Sequence, residues 1–502
     1  MMDLIGNLGL GLSAALTPYN ILFCFVGTLL GTLVGVLPGI GPTATIAMLL
    51  PITLSLSPET SLIMLAGIYY GAQYGGSTTA ILINLPGESS SAVTALDGYQ
   101  MARQGRAGPA LAAAALSSFF AGTIATVVVA ALAPPLTSIA LKFGSPEYFG
   151  LMVLGLAASI VLARGSVLKT IAMVSMGLVF GLVGTDINTG AMRFTLGRPE
   201  LADGLNFVAV AVGLFGIAEI LRNLETTIER TAVVKRVVGL WPTRADLKAM
   251  VGPAFRGTLL GSALGVLPGG GAILASFASY ALEKKISKTP ERFGSGAIEG
   301  VAGPEAANNA GAQTSFIPML TLGVPANPVM ALMIGAMIIQ GIVPGPQVAT
   351  TQPALFWGLI ASMWIGNLLL VILNLPLIGL WVKLLTVPYT VLFPAILAFA
   401  SIGVYSVNSN TFDLYVMAAF GVFGYALSKL DFEPAPMLLG FVLGPLLEEH
   451  LRRAMTISHG DISVFVTRPI SAGLLTVALL VLVIAFLPNI ARRRNQVFVE
   501  ED

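Results

Sequence analysis

Two short stretches, Leu37-Pro38-Gly39-Ile40-Gly41-Pro42-Thr43 and Leu267-Pro268-Gly269-Gly270-Gly271, interrupt otherwise apolar runs. Proline removes a backbone donor and disrupts the preceding turn. Glycine lets another backbone or a ligand come close. A helix that restarts after such a break presents unsatisfied N–H groups and the positive end of its dipole, which favour an anion. Carbonyls on the other side of the break favour a cation. Gly39, Gly41, Thr43, Gly269, Gly270 and Gly271 are therefore candidate contacts for an anionic small molecule. The plainer alternative for one break is a kink needed only for packing. Two breaks in register favour the ligand.

Two polar clusters follow the breaks: Tyr74-Gly75-Gly76-Ser77-Thr78-Thr79 and Asn308-Asn309-Ala310-Gly311-Ala312-Gln313-Thr314-Ser315. Neutral hydroxyl and amide donors at Ser77, Thr78, Thr79, Asn308, Asn309, Gln313, Thr314 and Ser315 can hold a carboxylate without a fixed buried charge. The alternative is polar glue between helices, about 0.6 kcal/mol per bond. The segments Asn84-Leu85-Pro86-Gly87-Glu88-Ser89-Ser90-Ser91 and Gly323-Val324-Pro325-Ala326-Asn327-Pro328 read as hairpin tips. Asn84, Pro86, Pro325 and Asn327 are the candidates for a coupling cation, and the serines equally suit a helix cap. Glu88, Asp97, Glu299 and Glu305 lie close to these segments, and an ionisable residue at membrane depth is a functional candidate. Asp186 and Asp431 sit at matching helix ends and read as interfacial. Catalytic readings fail: the acids are scattered without a paired His or Lys, and no GxSxG elbow is present. The expectation is a protein that is not an enzyme.

The elements that position these residues follow from composition. The chain has 502 residues, 55% hydrophobic and 10% charged, with mean hydropathy +0.86. So few charges cannot cover a soluble fold of this size, which puts the bulk of the chain in lipid. Net charge +1 offers no field for nucleic acid, and one cysteine, Cys24, excludes an internal disulfide. His450 and His459 are the only histidines, too few for a zinc, haem or iron–sulfur site. No Walker A motif is present, and the amino terminus lacks the pattern of a removable signal peptide. Continuous apolar runs such as Leu151–Ala163 and Leu474–Leu487 are helices rather than alternating barrel strands. Some apolar stretches are too short to span the bilayer alone and flank Gly/Pro breaks, as half-helices or re-entrant hairpins do. The expected class is an all-α polytopic membrane protein with about 10–12 membrane helices.

Residues 27–41, GTLLGTLVGVLPGIG, and 257–271, GTLLGSALGVLPGGG, agree at 11 of 15 positions. Gly71-Ala72-Gln73 recurs as Gly311-Ala312-Gln313. The chain therefore divides into related halves, 1–230 and 231–470, plus a terminal helix and tail, 471–502. A shared helix-packing motif is the bland alternative. Residues 1–20 carry no Lys or Arg, whereas seven basic residues from Arg222 to Arg256 precede the second copy. Placing the first copy's start outside puts 20 of 26 basic residues inside, with Lys142, Arg193, Arg198, Arg452, Arg453 and Arg468 as exceptions. Inverted repeats fit this best. Paired interrupted segments in two halves point to a transporter binding site. An ion channel, a non-transporting scaffold and a lipid-acting enzyme are the alternatives, and broken repeats argue against a simple pore.

The segments 31–53, 67–115, 265–285, 303–337 and 341–347 resemble the large membrane subunit of the tripartite tricarboxylate transporters, the TctA family. The resemblance runs end to end. It implies a bacterial inner-membrane secondary transporter with about twelve helices. It implies two partners, a small four-helix membrane subunit and a periplasmic solute-binding protein. It further implies import of citrate-like di- or tricarboxylates driven by an ion gradient, usually sodium. No cofactor is expected. The expected ligand site lies between the two breaks near the membrane midplane.

Overall fold

The computed structural model describes residues 4–37, 41–162, 166–186, 188–225, 239–267, 271–384 and 389–486. Among the described residues the regular structure is helical apart from a two-residue strand pair, Gly184–Thr185 with Met192–Arg193. The first half contains α1 (Leu4–Ala15), α2 (Pro18–Val36), α3 (Pro42–Thr53), α4 (Pro58–Ile83) and α5 (Ala92–Arg103). It continues with α6 (Ala107–Ala140), α7 (Ser145–Leu162), α8 (Val167–Gly181) and α9 (Phe207–Glu225). The second half contains α10 (Arg244–Gly265), α11 (Gly271–Ile286), α12 (Glu299–Thr314), α13 (Phe316–Leu322), α14 (Pro328–Ile339) and α15 (Pro353–Asn374). It ends with α16 (Ile378–Leu384), α17 (Tyr389–Asn408), α18 (Thr411–Lys429), α19 (Ala435–Ile457) and α20 (Pro469–Ala485). Among the described residues, α2, α6, α9, α15 and α18 are long and apolar enough to cross a bilayer. The chain is an all-α polytopic membrane protein.

Helix starts follow local chemistry. Proline stands at the first helical position of α2, α3, α4, α14, α15 and α20, where its missing N–H costs nothing. Thr17, Ser57 and Asn327 add side-chain caps for α2, α4 and α14. Thr243 and Asp246 form a reciprocal capping box that opens α10.

The repeated sequence is in part a packing device. A Cβ on Gly27, Gly31 or Gly35 would stand 2.2, 2.3 or 2.4 Å from the carbonyl oxygens of Met64, Ile68 and Ala72 on α4. In the second half, a Cβ on Gly257, Gly261 or Gly265 would stand 2.2, 2.3 or 2.4 Å from those of Gly303, Ala307 and Gly311 on α12. Glycines one turn apart thus bring α2 against α4 and α10 against α12 at backbone contact. The helix-packing reading therefore accounts for the GTLLG portion of the repeat, leaving the Pro-Gly breaks to be explained separately.

The helices on either side of each break lie alongside each other as a hairpin. Thr60 Oγ1 donates to Asn20 Oδ1 at 2.6 Å, and Ser61 Oγ donates to the Thr53 carbonyl at 2.8 Å. The start of α2, the end of α3 and the start of α4 therefore lie together. In the second half Arg256 on α10 pairs with Glu283 on α11 at 2.6 Å, so α11 also returns alongside its predecessor.

The two hairpins run in opposite directions. α6 and α10 start together, with Arg106 and Asp246 paired at 2.6 Å. α15 runs against α6, because Asn367 Nδ2 donates to the Phe119 carbonyl while Trp364 Nε1 donates to that of Thr123. α2 runs with α15, since Cys24 meets Ser362 and Thr32 meets Asn374. It follows that α2 and α10 are antiparallel.

Charge contacts gather at the two ends of the α8–α19 pair. Lys169 Nζ donates to the Leu430 carbonyl, and Lys429 pairs with Glu225. At the far end of the α8–α19 pair, Arg193 and Arg452 share Glu448, and Arg452 also binds Asp186. Arg468 pairs with Glu147, whose neighbour Tyr148 stacks on His450. The exceptional basic residues Arg193, Arg452 and Arg468 thus gather on one surface. Asp186 and Asp431, at matching helix ends in the sequence, lie at opposite ends of the α8–α19 pair. The Asn188 backbone N–H, with the Arg452 guanidinium, holds the Asp186 carboxyl down to about 2.

Candidate ligand-binding site between the helix breaks

A cavity of about 640 Å³ opens between the two hairpins. Gly41, Pro42 and Thr43 at the start of α3 line one wall, and Gly271, Ala272 and Ile273 at the start of α11 line another. The tips before α5 and α14 complete the repeat-related frame, through Pro86–Ser90 and Asn327–Val329. α9 adds Glu219, Arg222 and Asn223, and the start of α19 adds Pro434, Ala435 and Pro436. The exposed Arg222 marks the mouth.

Helix starts dominate the lining. α3, α11, α14 and α19 all begin at residues that face this space. Gly41 and Pro434 give α3 and α19 no side-chain cap, so first-turn N–H groups there remain available. Each such terminus carries roughly half a positive charge, and several converging on one space favour an anion. Glu88, Glu219 and Glu433 also line the cavity, so its walls carry acceptors as well as donors.

The tip before α5 is fixed by three glycines. A Cβ on Gly87 would stand 2.0 Å from the Gly35 carbonyl oxygen and 2.6 Å from Gly76 Cα. The tip therefore lies directly on α2 and α4, which holds Glu88, Ser89 and Ser90 at the cavity wall. Ser90 Oγ lies 2.9 Å from Gln73 Oε1 and 2.8 Å from Asn308 Oδ1. On the opposite side Asn327 Nδ2 donates to Tyr69 Oη at 3.2 Å, while its Oδ1 caps α14 by accepting from Met330 N.

The residues expected from sequence separate into three groups. Gly41, Thr43, Gly271, Pro86 and Asn327 line the cavity. Gly39, Gly269 and Gly270 lie outside the described residues. The remainder stand away from the lining. Thr79 Oγ1 donates to the carbonyls at the end of α2, Gly35 and Val36. Thr314 and Ser315 hydroxyls bond carbonyls of their own helix, Ala310 and Ala312. Gln313 Oε1 accepts from Thr126 at 2.5 Å, and Asn309 Nδ2 donates to Ser118 at 2.7 Å. Asn308 stands one layer behind Ser90, and Ser77 and Thr78 face a separate small interior cavity. Asn84 is an exposed left-handed cap of α4 (φ 57°), and Pro325 is buried off the lining.

Residues not singled out as site members nevertheless form much of the wall: Tyr69, Gln73, Ser159, Arg222 and Asn223. Tyr69 and Gln73 are four apart on α4 and share one face. The recurrence of Gly71-Ala72-Gln73 pointed to this turn. Nothing local in the sequence tied Arg222 or residues 434–436 to the breaks.

The family comparison settles the class. The model of the tripartite tricarboxylate transporter TctA family matches residues 21–439. The chain belongs to the TctA family. An Agrobacterium vitis protein, "Uncharacterized 52.8 kDa protein in TAR-I ttuC' 3'region", is 70% identical over 502 residues, all of both chains. A second from the same organism, "Uncharacterized protein in TAR-II ttuC' 3'region", is 70% identical over 242 residues, covering 48% of this chain and 100% of its own. No solved structure matches the chain. This TctA-family chain is thus a multi-pass membrane protein of a tripartite transporter family.

Proposed function

We propose that this chain is the large transmembrane subunit of a bacterial inner-membrane importer for di- or tricarboxylates, driven by a cation gradient. One observation carries the reading: helix starts from both halves open onto one cavity, α3 and α11 directly after the two breaks the sequence marks. A molecule with two or three carboxylates matches opposed N-termini better than one terminus alone. The antiparallel hairpins are the arrangement that lets one half rock against the other around a fixed site. Family membership supports two partners, a small membrane subunit and a periplasmic solute-binding protein that delivers substrate.

Arg222 supplies charge at the mouth. Its exposure limits its energetic weight, since charge pairs at exposed positions give up to about 1 kcal/mol. Arg222→Ala should weaken citrate binding by about 2- to 5-fold and flatten its salt dependence. Equilibrium binding of radiolabelled citrate to the purified chain at low and high salt measures both. Citrate binding indifferent to this substitution and to salt would remove the mouth from the anion path.

A further inference from the structure

A second enclosed space lies deeper in the core. It is lined by Tyr74, Ser77 and Thr78 of α4, by Leu111, Ala114, Ala115 and Ser118 of α6, by Glu305 of α12, and by Asn374 and its followers after α15. Its free volume, about 10 Å³, holds one water-sized occupant.

Oxygen atoms face this space and cationic side chains do not. Glu305 is 0% exposed. Its Oε1 lies 2.7 Å from Ser77 Oγ and accepts a short hydrogen bond from Thr94 Oγ1, and its Oε2 lies 3.4 Å from Ser118 Oγ. Among the described residues no Lys, Arg or His pairs with it. A buried carboxylate needs a counter-charge or a proton.

Asn374 gives independent testimony. It is 4% exposed, and its Nδ2 donates to the Leu370 carbonyl at 2.9 Å. Its Oδ1 is buried and accepts no hydrogen bond. An orphaned buried acceptor is costly, and here it belongs to a residue that lines the same one-occupant space as an unpaired carboxylate. Two hydroxyls complete a set of hard oxygen donors. Such donors suit a hard cation rather than an anion or a soft metal.

The fold itself does not require an acid here. The matched glycine contacts of the two halves pair Gly303 with Met64 and set Ala66 at the place of Glu305, and the Gly71-Ala72-Gln73 recurrence sets Leu65 there, so neither register puts an acid in the first half. One half packs the same helix pair with an apolar residue.

We propose that this space binds one dehydrated monovalent cation, held by Glu305, Asn374 Oδ1 and the hydroxyl oxygens of Ser77 and Ser118. The cation neutralises the buried carboxylate and satisfies the orphaned amide oxygen together. Its communication with the larger cavity runs through α4 and α12. Ser77 is one turn from Gln73, and Glu305 is close to one turn from Asn308. Gln73 and Asn308 both meet Ser90 at the larger cavity's wall. Cation and carboxylate then each raise the other's affinity, as linkage requires. That role rests on the transport reading above; the binding site itself does not.

The test is ²²Na⁺ binding to the purified full chain at constant ionic strength, with choline as the replacement cation. Citrate binding is measured on the same preparation. Saturable sodium binding is expected, with Glu305→Gln weakening it by ~10-fold or more and Asn374→Ala in the same direction. Asn374→Ala keeps the test decisive where Glu305→Gln fails to fold. Absence of saturable sodium binding, or binding unaltered in folded variants, overturns the site, and Glu305 is then held neutral by a proton. Citrate binding that persists without any sodium site leaves the carboxylate reading standing; sodium binding without citrate binding does the reverse.

Discussion

Replacing Gly41 by valine is expected to abolish carboxylate uptake while the protein still folds. Gly41 has φ −74° and ψ 171°, which any residue adopts, and a Cβ there meets no protein atom within 4 Å. The added side chain therefore points into open space at the start of α3, where Gly41 lines the large cavity. It would cover the first-turn N–H groups at the cavity wall. Misplacing a bound ligand by an ångström costs about 10²-fold, so a loss of at least that size is expected. Uptake in proteoliposomes containing the partner subunits measures the loss, and size-exclusion behaviour with thermal stability verifies the fold. Normal uptake by a folded Gly41→Val variant would place the substrate elsewhere.

Gly31→Val should fail in the opposite way, losing the fold before any question of transport arises. A Cβ at Gly31 would stand 2.3 Å from the Ile68 carbonyl oxygen and 2.8 Å from Ile68 Cα. These are backbone atoms of a neighbouring helix, so no rotamer change relieves the overlap. Ordinary overpacking costs about 1–3 kcal/mol, and separating α2 from α4 exceeds that range. Gly6→Val is the matched control, since a Cβ there meets nothing within 4 Å. Yield and melting temperature of the two variants compare directly. Equal stability would show that α2 and α4 do not pack at backbone contact.

Much of the architecture was legible because membranes restrict what a chain can do. Continuous apolar runs had to be helices, since nothing in lipid satisfies the backbone of an irregular segment. The Pro-Gly breaks and their recurrence located the hairpin turns, and the cavity formed at the starts of the helices that follow them. The contact chain through α6 and α15 sets α2 and α10 antiparallel, the relative direction expected of inverted repeats.

The site was less legible, for reasons particular to each residue. Ser77, Thr79, Thr314 and Ser315 share a residue type with ligand-binding hydroxyls, yet helix hydroxyls also bond carbonyls one turn back. Type alone does not separate these uses; the face of the helix does, and α4 and α12 are buried on every face. The repeat carried two messages at once, packing glycines and helix breaks, and its identity score could not separate them. Arg222 and residues 434–436 reach the wall from α9 and the start of α19, both far in sequence from the breaks.

Cysteine protection at Thr43 tests the central claim most directly. Thr43 lines the cavity in the first turn of α3, and the native Cys24 is 2% exposed, which keeps background labelling low. A Thr43→Cys variant should react with a small water-soluble thiol reagent in the absence of substrate. Saturating citrate should suppress that reaction, while a monovalent anion of equal ionic strength should not. Unchanged labelling under citrate concentrations that saturate binding would contradict a carboxylate site between the two breaks.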